Sequence, residues 1–557
     1  MRWSCHSHMT RMLHEAHAAC TEAAARGLPI DEVTQQRAGR AVTRREFLRH
    51  TGTLVTAGAA SLVQPARAAA AATQPRIVIV GAGLAGIRCA HKLWTERSIR
   101  STIYEANEDR AGGRVETLRG FFANGQIAEK CGEFISSEHS SMLSLVNRYG
   151  LALDHANTEP AQTRDVYWFN GGYYTQAQLN ADWQTFGWSL FKQAVKQAPW
   201  PTRYNRYTKQ AYQWDQISVV EWINTYIPGG MASPFGRLCY EDAISEYGGP
   251  PEQQSALNLV YILGYDDSTN NGSQPKNAPV LAGTDQMYHV RGGNDQIIQN
   301  MVAELPSGTI QYGRRLESLT IRSDGSYLCT FASGLMTPAD HVVLAIPFTT
   351  LRQVTLTNFS FSARKVQAIM KLPLGTNAKV MLQFTNRVWY KNGYTATTYS
   401  DLGSPVLFDV PDGPPIGATI ARECTNYQPG ATGVLINYPG GAQLSQQLLR
   451  GRYGLSLGQD DGPAPPLMVQ DTLQALGQIF PGVGGAFNNR AYYSAGILDP
   501  NLLGAWSQYN IGQYTGFSGI EPVREGNIHF AGEQTSLDFQ GFMEGGVTSG
   551  ERVAGEI

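Results

Sequence analysis

No uninterrupted apolar segment of this chain is long enough to span a bilayer, which argues against a membrane-spanning helix. No block of basic residues lies beyond the N-terminal region, and at a net charge of -2 nothing recommends nucleic acid as a partner. Cysteine is sparse and scattered, at positions 5, 20, 89, 131, 239, 329 and 424. None of these forms a CxxC pair and no His/Cys cluster has zinc spacing, so no metal site is expected and the thiols read as buried. The one HxH, His6 and His8, lies in a segment expected to be removed. What is abundant is glycine, with 59 residues, and aromatic side chains at 10%. That balance suits a large, loop-rich globular enzyme rather than a fibrous or disordered chain, and 557 residues imply roughly two to four domains.

The chain is organised around residues 76–86, RIVIVGAGLAG. A β-branched run reads as a buried strand, and the glycines then turn tightly into a helix. Gly81 supplies turn dihedrals that other residues resist. Gly83 leaves room for a pyrophosphate, and Gly86 lets the helix pack close on the strand. The amides opening that helix, from Leu84 and Ala85 onward, point at the phosphates, whose charge the helix dipole favours. Residues 101–105 form a second strand ending in Glu105, followed by Ala106. Glu105 stands where a ribose-binding carboxylate belongs, about 20 residues past the glycines. Gly112, Gly113 and Arg114 add a backbone nest and a cation, both suited to phosphate.

Upstream, residues 43–48, TRREFL, precede a mildly apolar stretch at 51–63 and the small residues Ala66 and Ala68. This resembles a twin-arginine export signal, the route of proteins folded before they cross a membrane. Downstream, helices are expected over 141–149 and 216–226, with many aromatics that read mostly as core. An exposed loop is expected over 266–277, and a helix over 296–305. Strands are expected over 309–312, 316–321, 326–331 and 341–347, read as the nucleotide sheet resuming after an insertion. A second insertion begins near 375, and 527–533 is a strand running into a glycine turn before a last helix opens near 541–546.

GAGLAG at 81–86, Glu105, Gly112-Gly113-Arg114, Phe530-Ala531-Gly532-Glu533 and Gly541-Phe542-Met543-Glu544 together resemble the flavin-dependent amine oxidases, which include monoamine, polyamine and L-amino-acid oxidases. The resemblance covers most of 74–557. It implies an α/β fold: a Rossmann-like FAD-binding domain of the GR2, amine-oxidase type, with an inserted α+β substrate-binding domain. The divisions are an N-terminal extension over 1–70, a discontinuous FAD-binding domain of 74–135, 285–345 and 486–557, and a substrate-binding region. That region is helical over 136–284 and sheet-rich over 346–485.

The resemblance also implies roles. Gly81, Gly83 and Gly86 would cradle the FAD pyrophosphate, Glu105 its ribose, and Arg114 would lie near pyrophosphate and flavin. The backbone of Leu316 would meet the adenine. Glu533, after Gly532, would bind the ribityl–pyrophosphate portion, and the Met543 amide, after Gly541, would face the pyrimidine edge of the flavin. Lys379 matches a lysine that holds a water beside flavin N5. Trp506 and Phe542 would sandwich the substrate nitrogen above the ring and exclude water. Ala505 stands where some members tether FAD through cysteine, so FAD is expected to be non-covalent.

The implied chemistry is hydride transfer from the α-carbon of an uncharged amine to flavin N5, then imine hydrolysis and reoxidation of the flavin by dioxygen to give hydrogen peroxide. The partners expected are thus a small amine or amino acid and dioxygen, with a homodimer left open. Several L-amino-acid oxidases clamp the α-carboxylate with an arginine soon after GGR. Phe134 falls there, so either another arginine does that work or the substrate is a simple amine. A tryptophan common before the Asp499-Pro500 pair is missing as well. Glu133, Glu241, Asp242 and Glu246 are candidates to meet a cationic side chain, although solvated surface acids are the simpler reading of most of them. The leading expectation is an exported L-amino-acid oxidase. The alternatives are a monoamine or polyamine oxidase and, further off, a flavin-binding redox protein without oxidase turnover.

Overall fold

A computed structural model describes residues 22, 26, 74–156, 158–160, 162–264, 285–402, 420–449 and 451–557. The expected export signal and the loop over 266–277 lie outside the described residues.

Ile77–Val80 forms the middle strand of a five-stranded sheet. Its order is Ile528–Phe530, His341–Leu344, Ile77–Val80, Thr102–Tyr104 and Ile310–Gln311, and every neighbouring pair is parallel. Because the chain leaves Ile77–Val80 for one side and fills the other side hundreds of residues later, a switch point opens at Val80. Such sheets bind their ligands there. The fold is the α/β, Rossmann-like arrangement expected for an FAD domain.

The two ends of this domain are locked by helix packing. Leu84–Arg97 lies against the last helix, Met543–Glu556, at a spacing that only glycine permits. A β-carbon on Gly550 would stand 2.4 Å from the Ala85 carbonyl oxygen. Arg88 and Glu551 add an ion pair of 2.6 Å across the same contact. Glu544 is fully buried and accepts from the Ser141 and Met142 amides at 2.9 and 2.8 Å, which caps helix Ser140–Arg148.

One expectation about the sheets is corrected. Leu316–Ile321 and Tyr327–Phe331 do not rejoin the nucleotide sheet. With Met336–Ala339 and Thr355–Thr357 they build a separate four-stranded sheet. Alternating apolar residues specify a half-buried strand, but not which sheet receives it.

An eight-stranded sheet covers the other side of the site. Its order is Asp461–Pro463, Phe487–Ser494, Lys379–Phe384, Gly433–Asn437, Ile420–Glu423, Tyr394–Ser400, Arg164–Phe169 and Gly172–Tyr173. Helices pack beyond it. Val219–Tyr226 starts later than expected, because Ser218 and Glu221 form a capping box. The helix expected over 296–305 runs Asp295–Ala303, starting one residue earlier and ending two earlier. Trp183 and Trp222 are fully buried among these helices. Each such ring removes about 150–250 Å² from water, worth roughly 4–6 kcal/mol before ordering costs. No helix among the described residues is long and apolar enough to cross a membrane.

Candidate active site

A cavity of about 650 Å³ runs from the switch point to the eight-stranded sheet. Its first part is the glycine turn. Gly81 has φ +100°, and a β-carbon there would meet the Ala345 carbonyl oxygen at 2.8 Å. Gly86 is tighter, 2.1 Å from the Gly81 oxygen, so the turn demands glycine for packing. Gly83 differs: its φ is -71° and, among the described residues, nothing lies within 4 Å of where its β-carbon would be. That space is open to a ligand.

Gly83 is the N-cap of Leu84–Arg97, among the described residues no side chain caps that helix, and no acid lies in its first turn. Glu105 accepts from the Ala82 amide at 2.6 Å and the Asn107 amide at 2.8 Å, and its carboxylate borders the cavity beside Ala106. Gly112 and Gly113 also border it. The nest reading needs one correction, since the Gly112 amide donates to the Ala82 oxygen at 2.8 Å and is not available to a phosphate. Leu316 borders the cavity from the four-stranded sheet.

At the far end Arg114 donates to the Ala505 oxygen at 2.6 Å and pairs with Glu533 at 3.0 Å. Glu533 also accepts from the Ser507 hydroxyl at 2.7 Å and the Gly541 amide at 2.8 Å. It follows Gly532, whose φ is +124°. Both of its oxygens are therefore engaged in pinning 505–507 to 541, with the carboxylate bordering the cavity. Gly541, Phe542 and Met543 open the last helix against the cavity, again with no side-chain cap.

Lys379, the first residue of Lys379–Phe384, is only 4% exposed. Its ammonium donates to Glu133 Oε2 at 2.7 Å and to the Glu129 oxygen at 3.0 Å. Burial works against its charge, but Glu133 outweighs burial and holds the ammonium above the ordinary lysine value. The stability this pair contributes is fully present at neutral pH and is lost only as pH rises through that raised value. Two of three ammonium protons are committed, leaving one for a water.

Trp506 stands beside Tyr438 with ring centroids 5.8 Å apart and planes 12° from parallel. Three chain segments cross to place it. The Gly375 amide donates to the Trp506 oxygen at 2.6 Å, the Ala505 amide to the Gly375 oxygen at 2.7 Å, and the Thr376 amide to the Gly248 oxygen at 2.9 Å. A β-carbon on Gly375 would lie 2.2 Å from the Tyr247 oxygen, and one on Gly504 2.4 Å from Leu374 Cβ. Phe542 borders the same cavity and packs edge-on to His139.

These features fit a dinucleotide with a planar ring system: two uncapped helix starts, an open Gly83, and aromatics at the far end. The family model for flavin-containing amine oxidoreductases matches residues 84–557. The chain belongs to that family.

FAD is accordingly the cofactor of this oxidoreductase. Among curated relatives, a flavin-containing amine oxidase of Danio rerio is 22% identical over 86% of this chain and 85% of its own. The Bacillus subtilis protein YobN, named provisionally as an L-amino-acid oxidase, is 26% identical over 86% of this chain and 94% of its own. In fold the chain is similar to cyclohexylamine oxidase from Brevibacterium oxydans, with TM-score 0.69, 18% identity, and 87% and 98% of the two chains covered. Wild-type putrescine oxidase bound to putrescine gives TM-score 0.66 at 19% identity, over 87% and 99%.

Every residue singled out from sequence as cofactor-binding or catalytic borders the one cavity, save Gly86, which packs behind it. Sequence reasoning missed Tyr438, Arg422 and Gln286. Arg422 stacks over Phe134, 4.3 Å from guanidinium carbon to ring centroid, and donates to Gln286 Oε1 at 2.6 Å. A signal was present: Thr397 and Tyr399, Arg422 and Cys424, and Ile436 and Tyr438 border the cavity at a spacing of two, as one face of a sheet does.

The acids are corrected too. Glu241 and Asp242 are fully buried rather than solvated, and neither borders the cavity. Glu133 is committed to Lys379.

Proposed function

We propose that the protein oxidatively deaminates an L-amino acid to its 2-oxo acid, with ammonia and hydrogen peroxide as the other products. The observation that carries this reading is Arg422. Its guanidinium lies on Phe134, at the position where several L-amino-acid oxidases place an arginine, and it borders the same cavity as Lys379, Trp506 and Phe542. An arginine from a neighbouring strand thus stands ready for the α-carboxylate, which a planar fork recognises bidentately. Gln286 holds it in orientation.

When bound, FAD supplies the acceptor for the substrate hydride and passes the electrons on to dioxygen. Trp506 and Phe542 flank the substrate nitrogen and keep water from it. Lys379, oriented by Glu133 and the Glu129 carbonyl, offers its third proton to the water that hydrolyses the product imine. Ala505 carries no sulfur, so FAD is held without a covalent bond. Export by the twin-arginine route, supported by residues 43–48, is part of the same proposal.

The substrate nitrogen must be uncharged to react. Lys379 stays protonated across the neutral range, so kcat/KM is expected to rise from about pH 6 to about pH 9 with the amine's deprotonation. A flat profile would count against this sequence of events.

The competing reading, a monoamine or polyamine oxidase, draws on Phe134 itself, which is not an arginine. A peroxide assay over L-amino acids and their decarboxylated amines separates the two. R422M should raise KM for amino acids by about 30-fold or more while affecting amines far less. If only the amines react in the wild type, the L-amino-acid reading is wrong.

A further inference from the structure

Glu246 differs from every other acid near the cage. It lies one residue before the end of helix Pro234–Tyr247, is 3% exposed, and borders the cavity. The Trp506 indole donates to its backbone oxygen at 2.8 Å, which puts the residue directly beside the cage. Its carboxylate is uncommitted: among the described residues no donor reaches the buried Oε2. Glu133 is taken by Lys379, and Glu533 by Arg114, Ser507 and Gly541.

A buried carboxylate without a partner is costly, and enzymes keep one where a substrate group completes it. The backbone holding Glu246 is fixed. Asn377 donates to the Ile244 and Ser245 oxygens, both at 3.2 Å, and Gly248 ends the helix at φ +68°. The C-terminal end of a helix adds a field that favours positive charge. The α-nitrogen is a poor occupant, since it must be uncharged to react and a carboxylate beside it would hold it protonated. A second cation on the substrate has no such conflict. Arg422 and Glu246 both border the cavity, so a basic amino acid would find a cation for its carboxylate and an acid for its side chain.

We propose that Glu246 receives the distal cation of the substrate, an ammonium or guanidinium at the end of its side chain, and so selects basic L-amino acids. This rests on the L-amino-acid reading, and its test keeps the two apart.

The test is anaerobic flavin reduction in the holoenzyme with L-lysine, L-norleucine, 1,5-diaminopentane and pentylamine, in wild type, E246Q and E246D. FAD content is checked in each variant. The wild type should favour lysine over norleucine by about 30-fold or more, E246Q should bring that ratio to within about threefold, and E246D should retain part of it. Equal use of lysine and norleucine by the wild type would overturn the proposal. An equal loss for both in E246Q would also overturn it, placing Glu246 at the shared α-nitrogen. If only the amines reduce the flavin, the L-amino-acid reading fails, and the ratio of diaminopentane to pentylamine then decides the role of Glu246 by the same criteria.

Discussion

Replacing Gly83 by valine is expected to give a folded, colourless protein. The Gly83 backbone, at φ -71° and ψ 174°, suits any residue, and no atom of the described residues lies within 4 Å of the position a β-carbon would take. The valine therefore meets no clash within the protein at its β-carbon. Its side chain instead fills the space at the start of helix Leu84–Arg97, where the pyrophosphate must approach the amides. Losing two charge-assisted hydrogen bonds there costs roughly 3–6 kcal/mol, or about 10² to 10⁴ in FAD affinity. Gly86→Ala is the control with the opposite signature. Its methyl would stand 2.1 Å from the Gly81 oxygen, so helix and strand must separate and stability falls. Flavin absorbance per chain and thermal unfolding of both variants check the pair. A yellow G83V, with wild-type FAD content, would show that the cofactor does not lie on this turn.

The second large effect is expected at Lys379. K379M leaves the Glu133 carboxylate, its side chain 11% exposed, without the ammonium that stood 2.7 Å away. Breaking a fully buried pair by removing one partner costs roughly 3–5 kcal/mol, and the partial exposure of Glu133 to the cavity lowers that figure here. The E133Q/K379M double variant should regain most of that stability, because no charge is then stranded. Activity should not return with it, staying down about 10²-fold or more through the lost hold on water. Unfolding curves and steady-state rates for the single and double variants separate the two roles. A K379M protein as stable as wild type would contradict the ion-pair account, and recovered activity in the double variant would remove Lys379 from the chemistry.

The cofactor end of this site was legible in the sequence because its signals are local. Ile77–Val80, the glycines at 81, 83 and 86, and Glu105 follow one another within a single βαβ unit. The far end depends on how segments meet. Trp506 sits where it does because backbones near Gly248, Gly375 and Gly504 cross at distances no side chain would allow. Arg422 reaches Phe134 only through the order of strands in the eight-stranded sheet. Neither fact is written in local periodicity. Glu241 and Asp242 were misread because charged residues usually mark a solvated face. The better signal was their setting, in a helix with Phe235, Leu238, Ala243 and Ile244 spread around it, the pattern of a helix buried on most sides.

In the proposed reaction, separated stretches of chain hold one FAD beneath an aromatic cage, with Arg422 turning the substrate's α-carbon toward it. Mixing the purified protein with L-amino acids in the absence of oxygen tests this most directly, with the flavin absorbance followed over time. Bleaching by L-amino acids, faster than by the corresponding decarboxylated amines, is the result expected. A flavin that stays oxidised with every L-amino acid yet bleaches with simple amines would contradict it, as would a protein with no flavin to bleach.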